Sequence, residues 1–506
     1  MALLYPTNGP PPMTNPDTRS GTNHGHELLV SLPGEHRRAK LEDRLRELVR
    51  EGTLPAGSRL PASRVLAGDL GVSRRLVVDA YAQLTAEGYL VAHQGAGTYV
   101  AAAPAVADDA SSEPPARALS FDFFPGAPDL ASFPRALWSR ALREVLRSAP
   151  ASALAYPDVR GTLELRRALA AYLRRVRGVV AEPQAIVICT GATQGLALLA
   201  RALLRLGTRA IAVEDPCLPP HRAVLAYAGL EVRGALVDDE GLDVRSVSAP
   251  AVLTTPAHQC PTGVVLSPAR RTALIEWARA GNLVVEDDYD AEFRYDRQPL
   301  AALQGLAPDR IVYLGSVSKT LAPALRLGWL VLPAWLIDAV VEAKLCDDLG
   351  SPAIEQLALS HLIETAAYDR LLRKARRRNR ARRDALVAAV GRHLPGARVS
   401  GISAGLHALV RLPRLVDAQR LLGEAARASV GVYPLSLHMM ETPSETDALV
   451  LGYAGLSEPA IEEGIRRLAL VLDTLTEADA VLKRRNTRVS RSARVYDAGR
   501  LQVGAP

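Results

Sequence analysis

The chain has few cysteines, no apolar run long enough to cross a membrane and no signal sequence. Its four cysteines, Cys189, Cys217, Cys260 and Cys346, are scattered through 506 residues without a CxxC pair. This pattern excludes a zinc module and a disulfide framework, and it indicates a reducing compartment. The first 23 residues lack a basic region followed by an apolar core, so they do not form a signal peptide. We expect a cytoplasmic protein with no membrane segment.

Length and charge limit the possible architectures but do not identify one. A chain of 506 residues predicts two or three domains, with enough apolar residues to fill more than one core. The formal net charge is +7 and the isoelectric point is about 9.3. Such a basic balance is compatible with nucleic-acid binding without proving it.

Changes in composition divide the chain into folded and unfolded parts. Residues 1–26 are expected to be a disordered extension, because Pro and small polar residues bury too little surface to order a chain. Residues 101–118 form a linker of Ala, Pro, Ser and Asp between two folded units, 27–100 and 119–479. Residues 480–506 carry seven basic residues against one acid and no apolar period, which predicts a disordered basic tail.

The first folded unit has the order helix, tight turn, helix, hairpin. Apolar spacing predicts helices over 37–50, 64–70 and 74–87, with Ser63 and Ser73 as N-caps. Strands at 89–91 and 98–100 flank a glycine-rich tip that contains Gly95. The third helix begins with Ser73, Arg74 and Arg75, as a recognition helix that enters the major groove would. The alternative is a small helical bundle with a surface hairpin.

Residues 54–100 resemble, almost position for position, the winged helix-turn-helix of the GntR family of bacterial transcription regulators. The resemblance implies a mostly α-helical DNA-binding domain over 27–100. It also implies that Arg64, Ser73, Arg74 and Arg75 contact DNA and that Gly95 lies in the wing.

The second folded unit contains a lysine motif that suits carbonyl chemistry. Short apolar strands alternate with helices, which predicts a mostly parallel sheet covered by helices. Ser316, Ser318 and Lys319 follow the predicted strand at 311–314, and Arg326 comes seven residues after the lysine. A lysine that forms a Schiff base needs surroundings that let it lose a proton, and the serines and arginine suit a phosphate beside it. Taken alone, the motif is weak and favours a solvated lysine over a Schiff-base lysine.

Three further segments support this chemistry. Residues 284–290 (VVEDDYD) place acids at the end of an apolar strand, where a carboxylate can keep a pyridine nitrogen protonated and a phenol can bind the ring's 3-oxygen. The alternative for this segment is a solvated acidic loop. Residues 190–194 form a glycine turn before a helix expected at 195–206, which is a phosphate site. Residues 255–263 follow another strand and contain His258, which we interpret as a core or supporting histidine.

These segments, in this order, resemble the fold-type-I aminotransferases that bind pyridoxal 5′-phosphate. The resemblance implies an α/β fold with large and small subdomains, in which Lys319 is the Schiff-base lysine, Asp287 the ring-nitrogen partner and Tyr289 the 3-oxygen partner. Asp288 is an alternative to Asp287. The implied phosphate cup consists of Ala192, Thr193, Ser316, Ser318 and Arg326. Tyr156 matches a tyrosine that reaches the phosphate of the neighbouring subunit, which implies a homodimer.

A GntR-type winged helix joined to an aminotransferase-like domain resembles the layout of the MocR subfamily of regulators. The chain departs from that pattern at Cys217 and Leu218, where many members have a glycine and an aromatic residue that covers the ring. The segment at 451–456 also lacks the arginine that pairs with a substrate carboxylate; Arg411 is a distant alternative. We therefore hypothesise that the effector is not an ordinary α-amino acid and that the cofactor itself is the signal. The basic run at 373–383 is interpreted as a solvated helix face rather than a second DNA-contacting surface.

We expect a homodimeric regulator that binds operator DNA, holds pyridoxal phosphate on Lys319 and responds to that cofactor or to a small amine. Vitamin B6 or amino-acid metabolism is the expected target. One alternative is a working aminotransferase with an accessory DNA-binding domain. Another is a DNA-binding protein whose second domain has lost the cofactor and serves for dimerisation.

Overall fold

The computed structural model describes residues 36–101, 119–295 and 300–476. The chain forms two compact units that divide between Ala116 and Arg117. The predicted extension, the basic tail and all of the predicted linker except residue 101 lie outside the described residues. Within the described ranges, no helix is both long enough and apolar enough to cross a membrane.

The first unit is a small helical fold with a hairpin. Residues 36–101 contain helices α1 (Arg37–Arg50), α2 (Ser63–Asp69) and α3 (Arg74–Ala86) and strands β1 (Leu90–His93) and β2 (Gly97–Val100). Leucines at four-residue and three-residue spacing on α1, Leu41, Leu45 and Leu48, are buried against α3. The two strands pair antiparallel, with Leu90 opposite Val100 and His93 opposite Gly97.

The helix starts in this unit confirm one predicted cap and correct the other. The Ser73 side chain accepts a hydrogen bond from the Leu76 amide and caps α3. Gly71 adopts the left-handed conformation, with φ +61°, in the turn before it. The prediction that Ser63 caps α2 is wrong, because Ser63 is the first helical residue and Ala62 precedes it without a side-chain cap. The hairpin strands are also longer than predicted, because pairing continues to Gly97.

The second unit combines a large sheet with a small one. Over residues 119–295 and 300–476 its strands are β3 (Phe121–Asp122), β4 (Ile186–Cys189), β5 (Ala210–Asp215), β6 (Glu231–Asp238), β7 (Gly241–Leu242), β8 (Ala251–Thr254), β9 (Leu283–Asp288), β10 (Ile311–Ser316), β11 (Gly328–Val331), β12 (Arg398–Ser400), β13 (His407–Asp417), β14 (Val430–Gly431) and β15 (Glu445–Gly452). Its helices are α4 (Arg135–Ser148), α5 (Leu163–Arg177), α6 (Ala192–Arg205), α7 (Pro219–Tyr227), α8 (Pro268–Arg279), α9 (Ala334–Asp348), α10 (Ala353–Glu364), α11 (Ala367–His393), α12 (Ala418–Arg427) and α13 (458–476).

The large sheet has the order β4-β11-β10-β9-β8-β5-β6-β7 among the described strands. Its central strands, β10, β9, β8, β5 and β6, run parallel, and β11 and β7 run antiparallel to their neighbours. Strands β4, β9 and β10 are buried along their whole length, as expected for a sheet covered on both faces. The predicted mostly parallel sheet is therefore confirmed, and β9 and β10 continue two or three residues beyond the predicted strands.

The small subdomain is an antiparallel sheet, β12-β13-β15, packed with α12 and α13. The long helix α11 belongs to both subdomains. Leu372 in its first half is part of the core of the large subdomain, and Leu386 in its second half is part of the core of the small one. A change in the angle between the subdomains must therefore involve α11.

The interpretation of residues 373–383 as a solvated face is wrong for part of the run. Arg376 donates to the Glu292 carbonyl, Arg382 to the Ala454 carbonyl and Arg383 to the Ile402 carbonyl, while Arg378 pairs with Asp129. Arginine side chains are long enough to cross from the helix to carbonyl groups of neighbouring segments, so a basic run in a sequence does not show which members face water.

Candidate functional site

A cavity of about 270 Å³ lies at the C-terminal ends of β9 and β10. Because these strands are parallel neighbours, the residues that follow them meet at one edge of the sheet, where open α/β sheets bind ligands. The lining consists of Pro125, Gly126, Ala192, Thr193, Leu218, Pro220, His221, Cys260, Asp287, Tyr289, Ser316, Ser318, Lys319, Pro323, Arg326 and His407.

This lining brings together eight of the residues that were selected from the sequence. They are Ala192, Thr193, Asp287, Tyr289, Ser316, Ser318, Lys319 and Arg326. Tyr156 is not among them, since its side chain is 87% exposed and lines a different cavity. Arg411 lies on β13, faces solvent and is 3.5 Å from Asp447, so it does not line the cavity either.

The lysine amine is held inside the cavity by a backbone carbonyl. Lys319 Nζ donates to the Gly126 carbonyl oxygen over 2.6 Å. Burial lowers the pKa of Lys319 below its ordinary value, and Cys260, Asp290 and Asp287 oppose this shift. Gly126 has φ +80°, and a Cβ atom there would lie 2.7 Å from Nζ, so a glycine is required. The amine is placed and its pKa is lowered as a nucleophile requires.

Two adjacent carboxylates differ in their surroundings. Asp288 Oδ2 accepts hydrogen bonds from Arg177 Nε and the Tyr313 hydroxyl, each over 2.7 Å, and Asp288 does not line the cavity. Asp287 lines the cavity, and its buried Oδ2 makes no hydrogen bond to any described residue. Burial, and then the charges of Asp288 and Asp290, raise the pKa of Asp287 to about 8. Of the two, Asp287 is the carboxyl group available to a ligand.

One end of the cavity is suited to an anion. Helix α6 begins at Ala192, three residues earlier than predicted, so its first-turn amides and Thr193 face the cavity. The Arg326 guanidinium donates to the Thr190 carbonyl. Gly191 has φ +87°, and a Cβ atom on it would lie 2.8 Å from that guanidinium. Positive charge and free amides therefore converge beside Ser316 and Ser318.

Behind Tyr289 lies a buried histidine and carboxylate pair that the sequence reasoning identified only in part. His258 Nδ1 is 3.0 Å from both the Tyr289 hydroxyl oxygen and Asp290 Oδ2, and its Nε2 is 3.1 Å from the Gly401 carbonyl. The Tyr289 hydroxyl also donates to the His258 carbonyl over 3.0 Å. Burial would lower the pKa of His258, but the Asp290 carboxylate outweighs it and the pKa is raised. His258 thus contacts Tyr289 from behind, and Asp290, the residue directly after Tyr289, was not selected from the sequence.

Residues at the start of α7 form the wall of the cavity near Asp287. Leu218 lines the cavity and offers apolar contact, as its sequence predicts. His221, which the sequence reasoning missed, lies one turn further along and places Nδ1 3.5 Å from Asp287 Oδ2. Burial, and then the charge of Lys319, lower the pKa of His221 to about 4, so its ring is neutral near pH 7. The signal that could have found it is the three-residue spacing from Leu218, the residue before α7, to His221 in the first turn of that helix.

The first unit exposes all five residues predicted to contact DNA. Ser73, Arg74 and Arg75 are exposed at the start of α3, Arg64 is exposed on α2, and Gly95 is exposed at the hairpin tip with φ +79°. Arg75 forms a long contact of 3.9 Å with Asp79 on α3, which leaves its side chain 91% exposed. This geometry presents cationic side chains and a narrow glycine tip on the surface.

Family comparisons match both units. Residues 37–100 match the family described as bacterial regulatory proteins, gntR family, and residues 128–468 match aminotransferase class I and II. Fold and site together define a GntR-type helix-turn-helix unit joined to an aminotransferase-like domain. The chain belongs to the MocR subfamily of GntR-type regulators.

Individual relatives extend over nearly the whole chain. The pyridoxine biosynthesis transcriptional regulator PdxR of Corynebacterium glutamicum is 36% identical over 437 residues, which is 83% of this chain and 93% of that protein. The probable rhizopine catabolism regulatory protein MocR of Rhizobium meliloti is 31% identical and covers 89% of this chain and 97% of its own length. Among solved structures, α-aminoadipate aminotransferase LysN of Thermus thermophilus, in complex with N-(5′-phosphopyridoxyl)-L-leucine, is 26% identical with a TM-score of 0.64 and covers 72% of this chain and 94% of that chain.

Proposed function

We propose that this protein is a bacterial transcription regulator that binds operator DNA through its first unit and holds pyridoxal 5′-phosphate in the cavity around Lys319. The observation that carries the proposal is the convergence of the eight cavity residues in a chain whose other unit exposes a recognition helix. Because operator DNA lies in the bacterial cytoplasm, this function places the protein there.

The residues of the cavity fit pyridoxal phosphate. Asp287 Oδ2 is a buried oxygen that accepts no hydrogen bond from a described residue, and it is suited to the ring nitrogen. Tyr289 is suited to the 3-oxygen, and the α6 amides with Arg326 to the phosphate. The lowered pKa of Lys319 keeps the amine available to the cofactor's carbonyl carbon. When bound, the cofactor supplies an electrophile for amines and an electron sink. LysN, whose solved structure contains a phosphopyridoxyl adduct, supports the same assignment.

We propose sensing rather than turnover as the role of the cavity. The segment at 451–456 has no arginine, and the cavity lining contains Arg326 as its single arginine among the described residues. Because Arg326 is assigned to the phosphate, this cavity has no second guanidinium for the carboxylate of an ordinary α-amino acid. Pyridoxal phosphate itself, or a small amine that reacts with it, is then the signal. The relative named for pyridoxine biosynthesis favours a target in vitamin B6 metabolism.

We further propose a homodimer in which Tyr156 completes the partner's phosphate site. Tyr156 is exposed in one chain, and the neighbouring Leu154 and Leu163 are exposed as well. A second copy of the chain that covers this apolar surface would bury all three side chains. The cofactor or effector would then shift DNA affinity by binding one arrangement of the dimer more tightly than another.

The competing candidate is a working aminotransferase with an accessory DNA-binding unit, and one pair of measurements separates it from a regulator. Purified protein should show the visible absorbance of bound pyridoxal phosphate, and Lys319→Ala should abolish that band while Lys40→Ala, in the first unit, should not. If the band survives in Lys319→Ala, the assignment of Lys319 is wrong. Sustained conversion of amino donors to keto acids by the wild type would favour the enzyme over the sensor.

A further inference from the structure

A second cavity, of about 220 Å³, lies on the other side of the Lys319 loop. One wall is the segment from Pro128 to Pro134, another is the first half of α11, and the floor is formed by residues 319–321. The lining consists of Pro128, Asp129, Ser132, Pro134, Phe293, Lys319, Thr320, Leu321, Leu371, Lys374, Ala375, Arg378 and Asn379. It shares Lys319 with the first cavity, and none of its other lining residues was selected from the sequence for a ligand.

The side chain of Asn379 is the most informative feature of this cavity. Asn379 is 4% exposed, and its Oδ1 makes no hydrogen bond to any described residue. A buried carbonyl oxygen without a donor is unfavourable, and it becomes favourable when a ligand brings an N–H or O–H group. The cavity therefore contains a ready acceptor.

The remaining polar residues give the cavity an excess of positive charge. Asp129 is the carboxylate of the lining, and it already contacts Arg378 and Arg382, each at 2.9 Å. The Ser132 hydroxyl also donates to Asp129, over 2.6 Å. Two guanidinium groups already exceed this one carboxylate in charge, and Lys374 adds a further positive charge to the lining. An anionic ligand is attracted to such a site.

We propose that this second cavity is an effector site for a small carboxylic acid that also carries an amino or hydroxyl group. Its carboxylate pairs with Lys374 and Arg378, and its N–H or O–H group donates to Asn379 Oδ1. Pro128, Leu321 and Leu371 form an apolar wall for a short carbon chain. The proposal rests on the proposed regulatory function. The second cavity supplies the carboxylate-binding cations that the first cavity lacks.

The position of the cavity explains how such a ligand could control the protein. The segment at 128–134 belongs to the chain that follows the predicted linker, and the carbonyl of Gly126, two residues before this segment, accepts the Lys319 hydrogen bond. Helix α11 packs in the cores of both subdomains. A ligand here touches both elements together with the Lys319 loop, so it can favour one arrangement of the subdomains and of the cofactor site.

Calorimetric titration of the cofactor-loaded, full-length protein tests the proposal with three acids of equal carbon number. The probes are 3-hydroxypropionate and β-alanine, which carry a donor, and propionate, which does not. The hydroxy acid cannot condense with the cofactor, so its heat reports binding apart from amine chemistry. We expect the two donor-bearing acids to bind saturably and about tenfold or more tightly than propionate.

Variants on α11 locate the binding. Asn379→Leu should remove the preference for the donor-bearing acids, and Arg378→Gln should weaken all three probes. Arg380 is exposed on the same helix and lies outside the lining, so Arg380→Gln should change neither the preference for the donor-bearing acids nor the affinity for the three probes. Because Asn379→Leu replaces an unpaired buried oxygen by apolar atoms, its thermal unfolding midpoint should not fall.

Two results would overturn the proposal: equal or undetectable binding of the three acids to the wild type, or an unchanged preference in Asn379→Leu. Visible absorbance and DNA retardation are recorded on the same samples. If both are normal while the acids fail to bind, the second cavity is wrongly assigned and the regulatory function stands. If the cofactor absorbance and the DNA retardation are both absent, the proposed regulatory function is wrong, and the effector site that rests on it is wrong as well.

Discussion

The adjacent carboxylates Asp287 and Asp288 should respond in opposite directions when each is replaced by asparagine. In the cofactor-free protein, Asp287→Asn is expected to raise the free energy of unfolding, while Asp288→Asn is expected to lower it. The reason is that the buried Asp287 Oδ2 accepts no hydrogen bond from a described residue and its neighbour His221 is neutral, whereas Asp288 is paired with Arg177 and Tyr313.

The size of the Asp287 effect follows from its raised pKa. An unfolded aspartate releases its proton near pH 3.8, and the folded Asp287 keeps its proton up to about pH 8. Between these values the folded state binds the extra proton, so the free energy of unfolding falls as the pH rises, by about 1.4 kcal/mol per pH unit. The penalty reaches roughly 4 kcal/mol at pH 7 and becomes constant above pH 8. Asp287→Asn removes it together with its pH dependence.

The Asp288 effect has the opposite sign because of a buried ion pair. Arg177 Nε and Asp288 Oδ2 are 2.7 Å apart, and the two side chains are 1% and 2% exposed. Removing one charge leaves the other buried without its counterion, which costs about 3–5 kcal/mol. Asp288→Asn is therefore the matched control: the same chemical change, one residue away, with the reverse outcome.

Urea unfolding followed by tryptophan fluorescence measures both changes selectively. The four tryptophans, Trp138, Trp277, Trp329 and Trp335, all belong to the second unit, so the signal reports that unit alone. The wild type and both variants are compared from pH 5 to pH 8.5 without cofactor. The free energy of unfolding of Asp287→Asn should exceed that of the wild type, and by more at pH 8 than at pH 5. If this difference does not grow with pH, or if Asp288→Asn is the more stable variant, the assignment of the two carboxylates is refuted.

Three further predictions concern other parts of the two units. Gly191→Ala should weaken pyridoxal phosphate binding about tenfold or more in an absorbance titration, because its Cβ would lie 2.8 Å from the Arg326 guanidinium at φ +87°; unchanged affinity would contradict the phosphate cup. Arg74→Ala should weaken operator binding by about 1–3 kcal/mol in retardation assays with normal cofactor absorbance; equal affinity would remove Arg74 from the interface. His258→Ala should cost about 3–5 kcal/mol in urea unfolding, since it leaves Asp290 buried and unpaired, and adding Asp290→Ala should recover part of this loss; if the double variant is the less stable one, the pair is not coupled.

Local sequence patterns predicted much of the fold because helix caps, helix faces and buried strands depend mainly on residues close together in the chain. The cap of Ser73, the apolar spacing of α1 and the buried strand before Lys319 depend on neighbours in the chain. Parallel strands then bring their ends together, so that motifs separated by more than a hundred residues, such as Thr193 and Lys319, line one cavity.

Tertiary contacts account for what the sequence did not show. The choice between Asp287 and Asp288 depends on Arg177, which comes from α5, more than a hundred residues earlier in the chain. Likewise, the arginines of α11 contact carbonyl groups of distant segments, and Asn379 acquires its role from a cavity that several segments enclose. No periodicity or motif encodes such partners, because they depend on which segments pack together.

Retardation of the protein's own upstream intergenic DNA, with and without pyridoxal phosphate, tests whether the protein binds operator DNA in a cofactor-dependent way. We expect a retarded complex whose affinity differs between the two conditions and falls with rising salt because of phosphate contacts. No retardation in either condition would contradict DNA binding. Retardation with the same affinity in both, in a sample whose visible absorbance shows that the cofactor is bound, would contradict its role as the signal.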